Sequence, residues 1–444
     1  MERKRITIIG GGFAGVSLAM ELARLNDSSL DIVIIEKSRH IALGLAYSTQ
    51  DPNHLLNVPA FAMSAFEDMP NDFINWLGNS ENIAHDFFPR FIYGRYLQSR
   101  FNNIREHAKS NINILHAEAI GINIKKNQAQ ITCANGDTIQ TEKIVLALGN
   151  LPPKKIIPHA DTSLIITNPW KQEMWIDLPR DKQLLILGTG QTMVDQVVSL
   201  FSNPEFKGKI IALSPHGLLP HPHCLQNKIP YPLPKEPLPG TLKGLLKFIR
   251  SEIQNFNGPW HLVIDSLSQI VPDIWQHFTL KEKSIFIRHV KPFWNIHRHR
   301  IAPVIDVILK QAIYSNRLNI IAGRFKQIDF DKEDITVTYQ QRHSKQINGL
   351  IVSHLMNCTE PNRNYLEADM PLIHSLVRQG KLTSHSLNLG VKVNSEGALL
   401  DNQGMASTIL FTLGPACIGQ YWESIAVPAI RKQSKKLAKH LLYL

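Results

Sequence analysis

Two glycine clusters are the residues of this chain best suited to chemistry, and the chemistry they suit is the holding of dinucleotides. Residues 6–15 read ITIIGGGFAG and residues 184–193 read LLILGTGQTM, each an apolar run, a glycine turn and the start of a helical pattern. In the first, Gly10, Gly12 and Gly15 satisfy G-x-G-x-x-G, with Phe13 and Ala14 between the last two. Such glycines allow a tight turn, close backbone approach to a pyrophosphate and close helix–strand packing, while the helix N-terminus favours the anion. Glu36 ends the next apolar run, about 20 residues further on, where an acid accepts the hydroxyls of an adenosine ribose. The second cluster has Gly188, Gly190 and Thr192, but Met193 stands where the third glycine would be. Its second strand is followed by Ser214-Pro215-His216-Gly217, with no acid. An acid there favours NAD and repels a 2′-phosphate, so its absence favours NADPH, with Ser214, His216 or a nearby arginine meeting the phosphate. Two dinucleotide loops in tandem suggest a flavin and a nicotinamide brought face to face; the competing reading of the weaker loop is a cofactor-free lobe.

Other reactive residues point less far. His216, His221, His223 and Cys224 are close in sequence, but no matching second pair of zinc ligands stands out, so no metal is expected. The run His297-Arg298-His299-Arg300, beside Trp294, suits either an anion or a solvated helix face paired with acids such as Asp306. Spacing gives no Ser-His-Asp set and no carboxylate pair, and no catalytic side chain is assigned. Cys133, Cys224, Cys358 and Cys417 are scattered without a C-x-x-C pair. That argues for a reducing, cytoplasmic setting and removes the dithiol that a flavoprotein disulfide reductase would need.

The elements that must position these residues form a repeat. A strand at 5–9, a helix at 13–25 and a strand at 31–36 are followed by a loop-and-helix region (43–110) and an alternating meander (112–149) containing the Asn135-Gly136 hairpin signal. The plan restarts near Lys182, with a strand at 183–187, a helix at 191–202 and a strand at 208–214. A Pro-rich loop (216–240) and a helical insertion (about 241–316) come next, then a second three-strand pattern from 317 and a closing strand at 354–359. The predicted fold class is α/β: two Rossmann-like dinucleotide-binding domains, each with a small antiparallel meander, plus a helical insertion. The first domain occupies 1–170 and is completed by 360–444; the second, at 171–359, is inserted within it.

Composition fits that reading. The 444 residues are 43% hydrophobic and 19% charged, with no run of about 18 apolar residues that could span a membrane. The opening MERKR followed by ITII imitates a secretory signal, yet the apolar stretch breaks at Gly10 and continues into a helix pattern. The net charge of +11 suits anionic cofactors, and with no nucleic-acid motif present neither nucleic acid nor membrane is an expected partner. The basic, amphipathic tail at 431–444 is expected to dock as a helix on its own domain.

Several segments resemble the YdhS-like FAD/NAD(P)-binding proteins, a family similar to the two-dinucleotide flavoproteins that include flavin monooxygenases and N-hydroxylases. They are the first glycine loop, Gly44–Ser64 (GLAYSTQDPNHLLNVPAFAMS), Asp72–Leu77 (DFINWL), Phe88–Leu97 (FPRFIYGRYL) and Gly188–Asp195 (GTGQTMVD). Trp294–Pro303 (WNIHRHRIAP), Leu413–Gly419 (LGPACIG) and Trp422–Pro428 (WESIAVP) extend the likeness across nearly the whole chain. The resemblance implies FAD on Gly10, Gly12, Gly15 and Glu36, Asn57 and Met63 near the flavin, Gly149 where the chain passes FAD, and Gly414 at the C-terminal approach to the isoalloxazine. NADPH is implied on Gly188, Gly190 and Thr192. The chain departs from the pattern at Gly414-Pro415, where many such flavoproteins have Gly-Asp, and at Ser214-Pro215, where Ser-Arg is frequent. The implied activity is that of an FAD-dependent, NAD(P)H-using monooxygenase acting on a small molecule through a flavin hydroperoxide. A non-catalytic redox sensor and an oxidase or electron-transfer reductase are the alternatives.

Overall fold

The computed structural model describes residues 3–25, 27–78, 83–156, 163–170, 180–224, 231–233, 238–268, 270–331 and 334–443. The expected domain boundary after residue 170, and residues 225–230 and 234–237 of the expected Pro-rich loop, therefore fall outside or at the edge of the described residues.

The first stretch of chain supplies β1 (Lys4–Ile9), β2 (Leu30–Ile35), β3 (Asn111–Leu115), β4 (Ala119–Lys125), β5 (Gln128–Cys133), β6 (Thr138–Thr141) and β7 (Lys143–Leu146). The middle supplies β8 (Ile165–Ile166), β9 (Gln183–Leu187), β10 (Lys209–Ser214), β11 (Leu318–Phe330), β12 (Ile335–Gln341), β13 (Ile347–Val352) and β14 (His354–Asn357). The last stretch adds β15 (Ala398–Leu400) and β16 (Ala406–Thr412). The first sheet runs β15-β16-β7-β1-β2-β3, so the C-terminal strands complete a sheet begun at the N-terminus, with Leu410 in register beside Ile144. The second sheet runs β13-β12-β11-β10-β9-β14-β8. Its central strands, like β1, β2 and β7, are buried almost throughout, as parallel strands covered on both faces must be. The fold is the predicted α/β one.

The two meanders differ in how they are joined. The first, β4-β5-β6, is a sheet of its own. The second is fused to its parent sheet, because β11 pairs parallel with β10 over Leu318–Ala322 and antiparallel with β12 from Gly323 onward. Gly323 marks the change; a side chain there would come within 2.6 Å of the Tyr339 ring.

Between β10 and β11 lie the helices of the insertion: Leu242–Asn255, Trp260–Ser268, Val271–His277, Leu280–Ile285, the π-helical turn Phe286–Val290, Lys291–Arg298 and Pro303–Tyr314. Thr279 and Glu282 cap the fourth of these reciprocally, which fixes where it starts. The terminal helix Val427–Tyr443 lays Ile430, Leu437 and Leu441 on the first nucleotide helix, Phe13–Arg24, in one core. Each such burial contributes roughly 1.5–3 kcal/mol, enough to hold a basic helix down against its charge. Among the described residues no helix is long and apolar enough to cross a membrane.

The second domain is entered and left through two strands of chain that run side by side. Pro153 and Pro361 form an antiparallel bridge, Asn362 N–H donates to Pro152 O at 3.1 Å, and Asn357 Nδ2 donates to Lys154 O at 3.0 Å.

Candidate functional site

Both glycine loops sit at the carboxyl ends of parallel strands, and they are built alike to within a tenth of an ångström or so. Gly10 and Gly188 each have φ +108°, a conformation that favours glycine. Each N–H donates at 2.9 Å to the end of the neighbouring strand, Ile35 O and Leu213 O respectively. A Cβ on either would stand 2.3 Å from a carbonyl oxygen, that of Ala147 after β7 or Cys358 after β14. Gly12 and Gly190 then cap their helices with extended backbone and no side-chain cap, leaving the first-turn amides of Phe13–Arg24 and Gln191–Ser202 without a side-chain acceptor. That is the geometry of an anion cradle, supplied twice.

The third position separates the loops. A Cβ on Gly15 would lie 1.9 Å from Gly10 O, so only glycine allows this helix to pack so closely on β1. Met193, fully buried, occupies the corresponding place in the second loop, and Thr192 is half-buried beside it in the first turn.

Around the first loop, the Glu36 carboxylate accepts the Gly11 amide at 2.6 Å and the Ser38 amide at 2.7 Å. A carboxylate has about four lone-pair sites, so two amides fix its position and leave capacity for ribose hydroxyls. Phe13 and Ala14 are buried in the N-terminal core, with the Phe13 ring edge-on to Tyr47 at 6.4 Å. Gly44 folds back until a Cβ on it would be 3.3 Å from Gly12 Cα. Gly149 has φ +68° with open space around its Cβ position, and its carbonyl accepts from the Tyr365 hydroxyl. Gly414 has φ +75° and donates to Gln433 Oε1 at 2.9 Å, and a Cβ on it would stand 3.4 Å from Ala14 Cβ, so the C-terminal segment reaches the first helix start. Met63 is placed in the same core at 3% exposure and presents no open surface.

Asn57 ties its own segment to the second loop. Its Nδ2 donates to Gln191 Oε1 at 3.0 Å, in the first turn of the second nucleotide helix, and its carbonyl faces His223 Nε2 at 2.9 Å. Gln191 Nε2 in turn donates to His299 O and Arg300 O at 3.2 and 3.1 Å, tying in the helical insertion. Burial pushes both His223 and His299 down to about 4, so both are neutral near pH 7.

Sequence reasoning missed two groups here. The first is a buried ion pair, Arg90 Nη2 to Asp195 Oδ2 at 2.7 Å, which clamps the second nucleotide helix to residues 51–57; burial raises the Asp195 pKa. Ser199 of the same helix meets His54 Nε2 at 2.7 Å and also bonds Asp51. The second is Arg342, from the turn between β12 and β13, which donates to Pro215 O at 3.0 Å and contacts His216 Nδ1. Burial, followed by the charges of Arg342, Arg324 and His343, lowers the His216 pKa. Position 215 has no arginine, but the fold delivers one to it.

The remaining clusters resolve structurally. His221 and His223 flank a bridge between Pro222 and Ile301, with the His221 ring 4.7 Å from that of His297. No three His, Cys, Asp or Glu residues among the described ones are arranged for a metal. Arg298 pairs with Glu423 at 3.0 Å and Arg300 with Asp265, while Asp306 pairs instead with Lys310 at 2.7 Å. All four cysteines are free, and only Cys224 is exposed.

A family model described as FAD-NAD(P)-binding matches residues 7–151. No curated protein matches. Among solved structures, a Kutzneria sp. 744 ornithine N-hydroxylase with reduced FAD, NADP+ and L-ornithine superimposes with TM-score 0.69 at 14% identity, covering 99% of each chain. L-lysine 6-monooxygenase from Pseudomonas syringae gives 0.67 at 14% identity, again covering 99% of each chain. Thioredoxin reductase from Lactococcus lactis gives 0.55 at 11% identity, with 99% of this chain and 98% of that one covered. These likenesses concern the fold: the whole chain has the two-domain architecture of FAD/NAD(P) flavoproteins, and its residues 7–151 match an FAD-NAD(P)-binding domain.

Proposed function

We propose that this chain is an FAD-dependent, NADPH-using monooxygenase that transfers one atom of O2 to a small molecule, the second leaving as water. The observation that carries the reading is the pair of matching glycine cradles, each at the carboxyl end of a parallel strand, which would hold a flavin dinucleotide and a nicotinamide dinucleotide in one chain. FAD is assigned to the loop Gly10, Gly12, Phe13, Ala14 and Gly15, to Glu36, and to Gly149 and Gly414, with Asn57 on the flavin side. NADPH is assigned to Gly188, Gly190 and Thr192, with Arg342 and His216 beside the 2′-phosphate.

When bound, FAD would accept a hydride from NADPH and activate oxygen. The protein's share is to bind and exclude water. Glu36 would hold the adenosine ribose and the uncapped helix starts the pyrophosphates, while His223 and His299 are neutral and the charge beside Asn57 is that of the Arg90–Asp195 pair. The sequence has no C-x-x-C pair, which separates this chain from a disulfide-reducing role on the same fold. The N-hydroxylase and lysine monooxygenase folds support the oxygen-transferring reading over a sensor.

Purified protein should be yellow, bleach with NADPH under anaerobic conditions and recolour with oxygen. Colourless protein that FAD cannot reconstitute would overturn the proposal. Stoichiometric hydrogen peroxide per NADPH with every substrate class offered would reassign it as an oxidase.

A further inference from the structure

The stretch of chain that returns from the second domain to the first carries charge that the cofactor assignments leave unused. Residues 358–365 begin at the second glycine cradle, where a Cβ on Gly188 would meet Cys358 O at 2.3 Å and Thr359 N at 3.3 Å. They end against the first domain, where Asn362 N–H donates to Pro152 O at 3.1 Å and the Tyr365 hydroxyl to Gly149 O. Glu360 and Arg363 stand on this segment. The helical insertion brings Lys291 and Arg298 to it, and the C-terminal segment brings Trp422 and Glu423.

The charges here do not balance. Glu423 is fully engaged, its Oε1 accepting from Trp294 Nε1 at 2.8 Å and its Oε2 from Arg298 Nε at 3.0 Å. Glu360 accepts from Lys291 Nζ. Arg363 is left with a share of that same carboxylate, its Nη2 standing 3.7 Å from the Oε2 that Lys291 holds. Its Nη1 is buried and meets no acceptor among the described residues. Three cations thus face two carboxylates, an excess of one positive charge. A buried donor without an acceptor is costly, and a charged one more so. The guanidinium is nevertheless held in place, with Cζ 5.3 Å from the centre of the Trp422 ring, within cation–π range. Burial, ahead of the neighbouring charges, lowers the pKa of both Lys291 and Arg363, so an anion arriving beside them would stabilise their charged forms. The Glu360 side chain is 51% exposed, yet burial is the largest influence on its carboxyl. A group crowded by protein and still open to solvent lies on a concave surface that a small molecule can enter.

We propose that Arg363, with Lys291 beside it, holds the carboxylate of a small organic acid, which is the substrate. The assignment rests on the monooxygenase reading above. A guanidinium fork matches a carboxylate in shape and charge, and one carboxylate cancels the one excess charge. The phosphates of NADPH have other partners, the uncapped start of Gln191–Ser202 and Arg342. Glu360 and Glu423 would also repel a pyrophosphate more strongly than a single carboxylate.

Saturation-transfer NMR on the FAD-loaded, full-length protein with propionate and with propionamide tests the assignment, since the two probes differ in charge and hardly in shape. Propionate is expected to bind, and propionamide at the same concentration is not. Arg363→Gln should weaken propionate binding roughly tenfold or more. Glu360→Gln should tighten it severalfold, because it adds to the excess charge. If Arg363→Gln does not fold, Lys291→Gln, which removes the excess by handing Glu360 to Arg363, should weaken binding in its place. No propionate binding, equal binding of the two probes, or weakening rather than tightening in Glu360→Gln would overturn the anion site. Displacement of propionate by saturating NADP+ would make it a cofactor-phosphate site and overturn its role toward substrate. Propionate binding that follows the variants in a protein unable to take up FAD would overturn the monooxygenase reading and leave the anion site standing.

Discussion

If a 2′-phosphate is to be held at the end of β10, a cation has to stand there, and the chain brings it from a turn more than a hundred positions downstream: Arg342 beside Pro215 and His216. Replacing Arg342 with alanine is expected to raise KM for NADPH by roughly tenfold to a hundredfold, the equivalent of one charged hydrogen bond of about 1.5–3 kcal/mol, while KM for NADH stays where it was. Steady-state kinetics with both cofactors reads this directly, and equal losses for the two would remove Arg342 from the phosphate site. The contrast with Glu36 shows what a sequence carries. Glu36 and its loop lie within one β-α-β unit, so spacing alone places them together, and the structure brings the carboxylate to the Gly11 amide. Arg342 sits in an ordinary hairpin turn whose sequence, QRHS, holds no sign of what it will face. Met63 stands in a segment that resembles a flavin-contacting one, and its side chain is buried in the same core as Phe13 and Ala14 of the first loop.

At the level of elements, the helix Gln191–Ser202 does two jobs, opening a nucleotide cradle and docking onto the first domain. The docking depends on Arg90 and Asp195, whose side chains are only 14% and 9% exposed. Arg90→Ala would leave a carboxylate buried without its cation and is expected to destabilise the protein by about 3–5 kcal/mol. The double change Arg90→Met with Asp195→Leu should cost far less, since removing both charges removes the desolvation penalty as well. Urea unfolding midpoints of the two variants test the pair; equal losses would show that the ion pair itself, rather than an orphaned charge, carries the stability. Most strands and both nucleotide helices were legible because buried parallel strands leave continuous apolar runs. The bend in β11 was not, because residues 317–330 alternate smoothly through the point where the pairing changes partner. The helical insertion was visible as a region, but not the apolar core inside it, which depends on Trp422 arriving from the far end of the chain.

For the whole molecule, three histidines set the acid limit. His223, His299 and His385 are each pushed down to about 4, chiefly by burial. In the unfolded chain they would take up protons near pH 6.5, so between about 6.5 and 4 the unfolded state binds more protons and stability falls as the pH falls. Above that window both states are neutral at these positions and the contribution levels off. Urea midpoints at pH 7, 5.5 and 4.5 should decline in order, and His223→Phe should flatten the decline; a flat profile in the parent protein would contradict the burial of these rings. The nested arrangement of the domains has a further bearing, on the order of events during synthesis. The first sheet needs β1 and β16, which lie at opposite ends of the chain, whereas every strand of the second sheet falls between residues 165 and 357. As the chain emerges from N- to C-terminus, the inner domain has all its strands before the outer one does, and an unclosed β7 edge must wait for Leu410 to arrive. The host is the last part to become native, and the antiparallel contact of Pro153 with Pro361 is the point at which a finished guest lets it close.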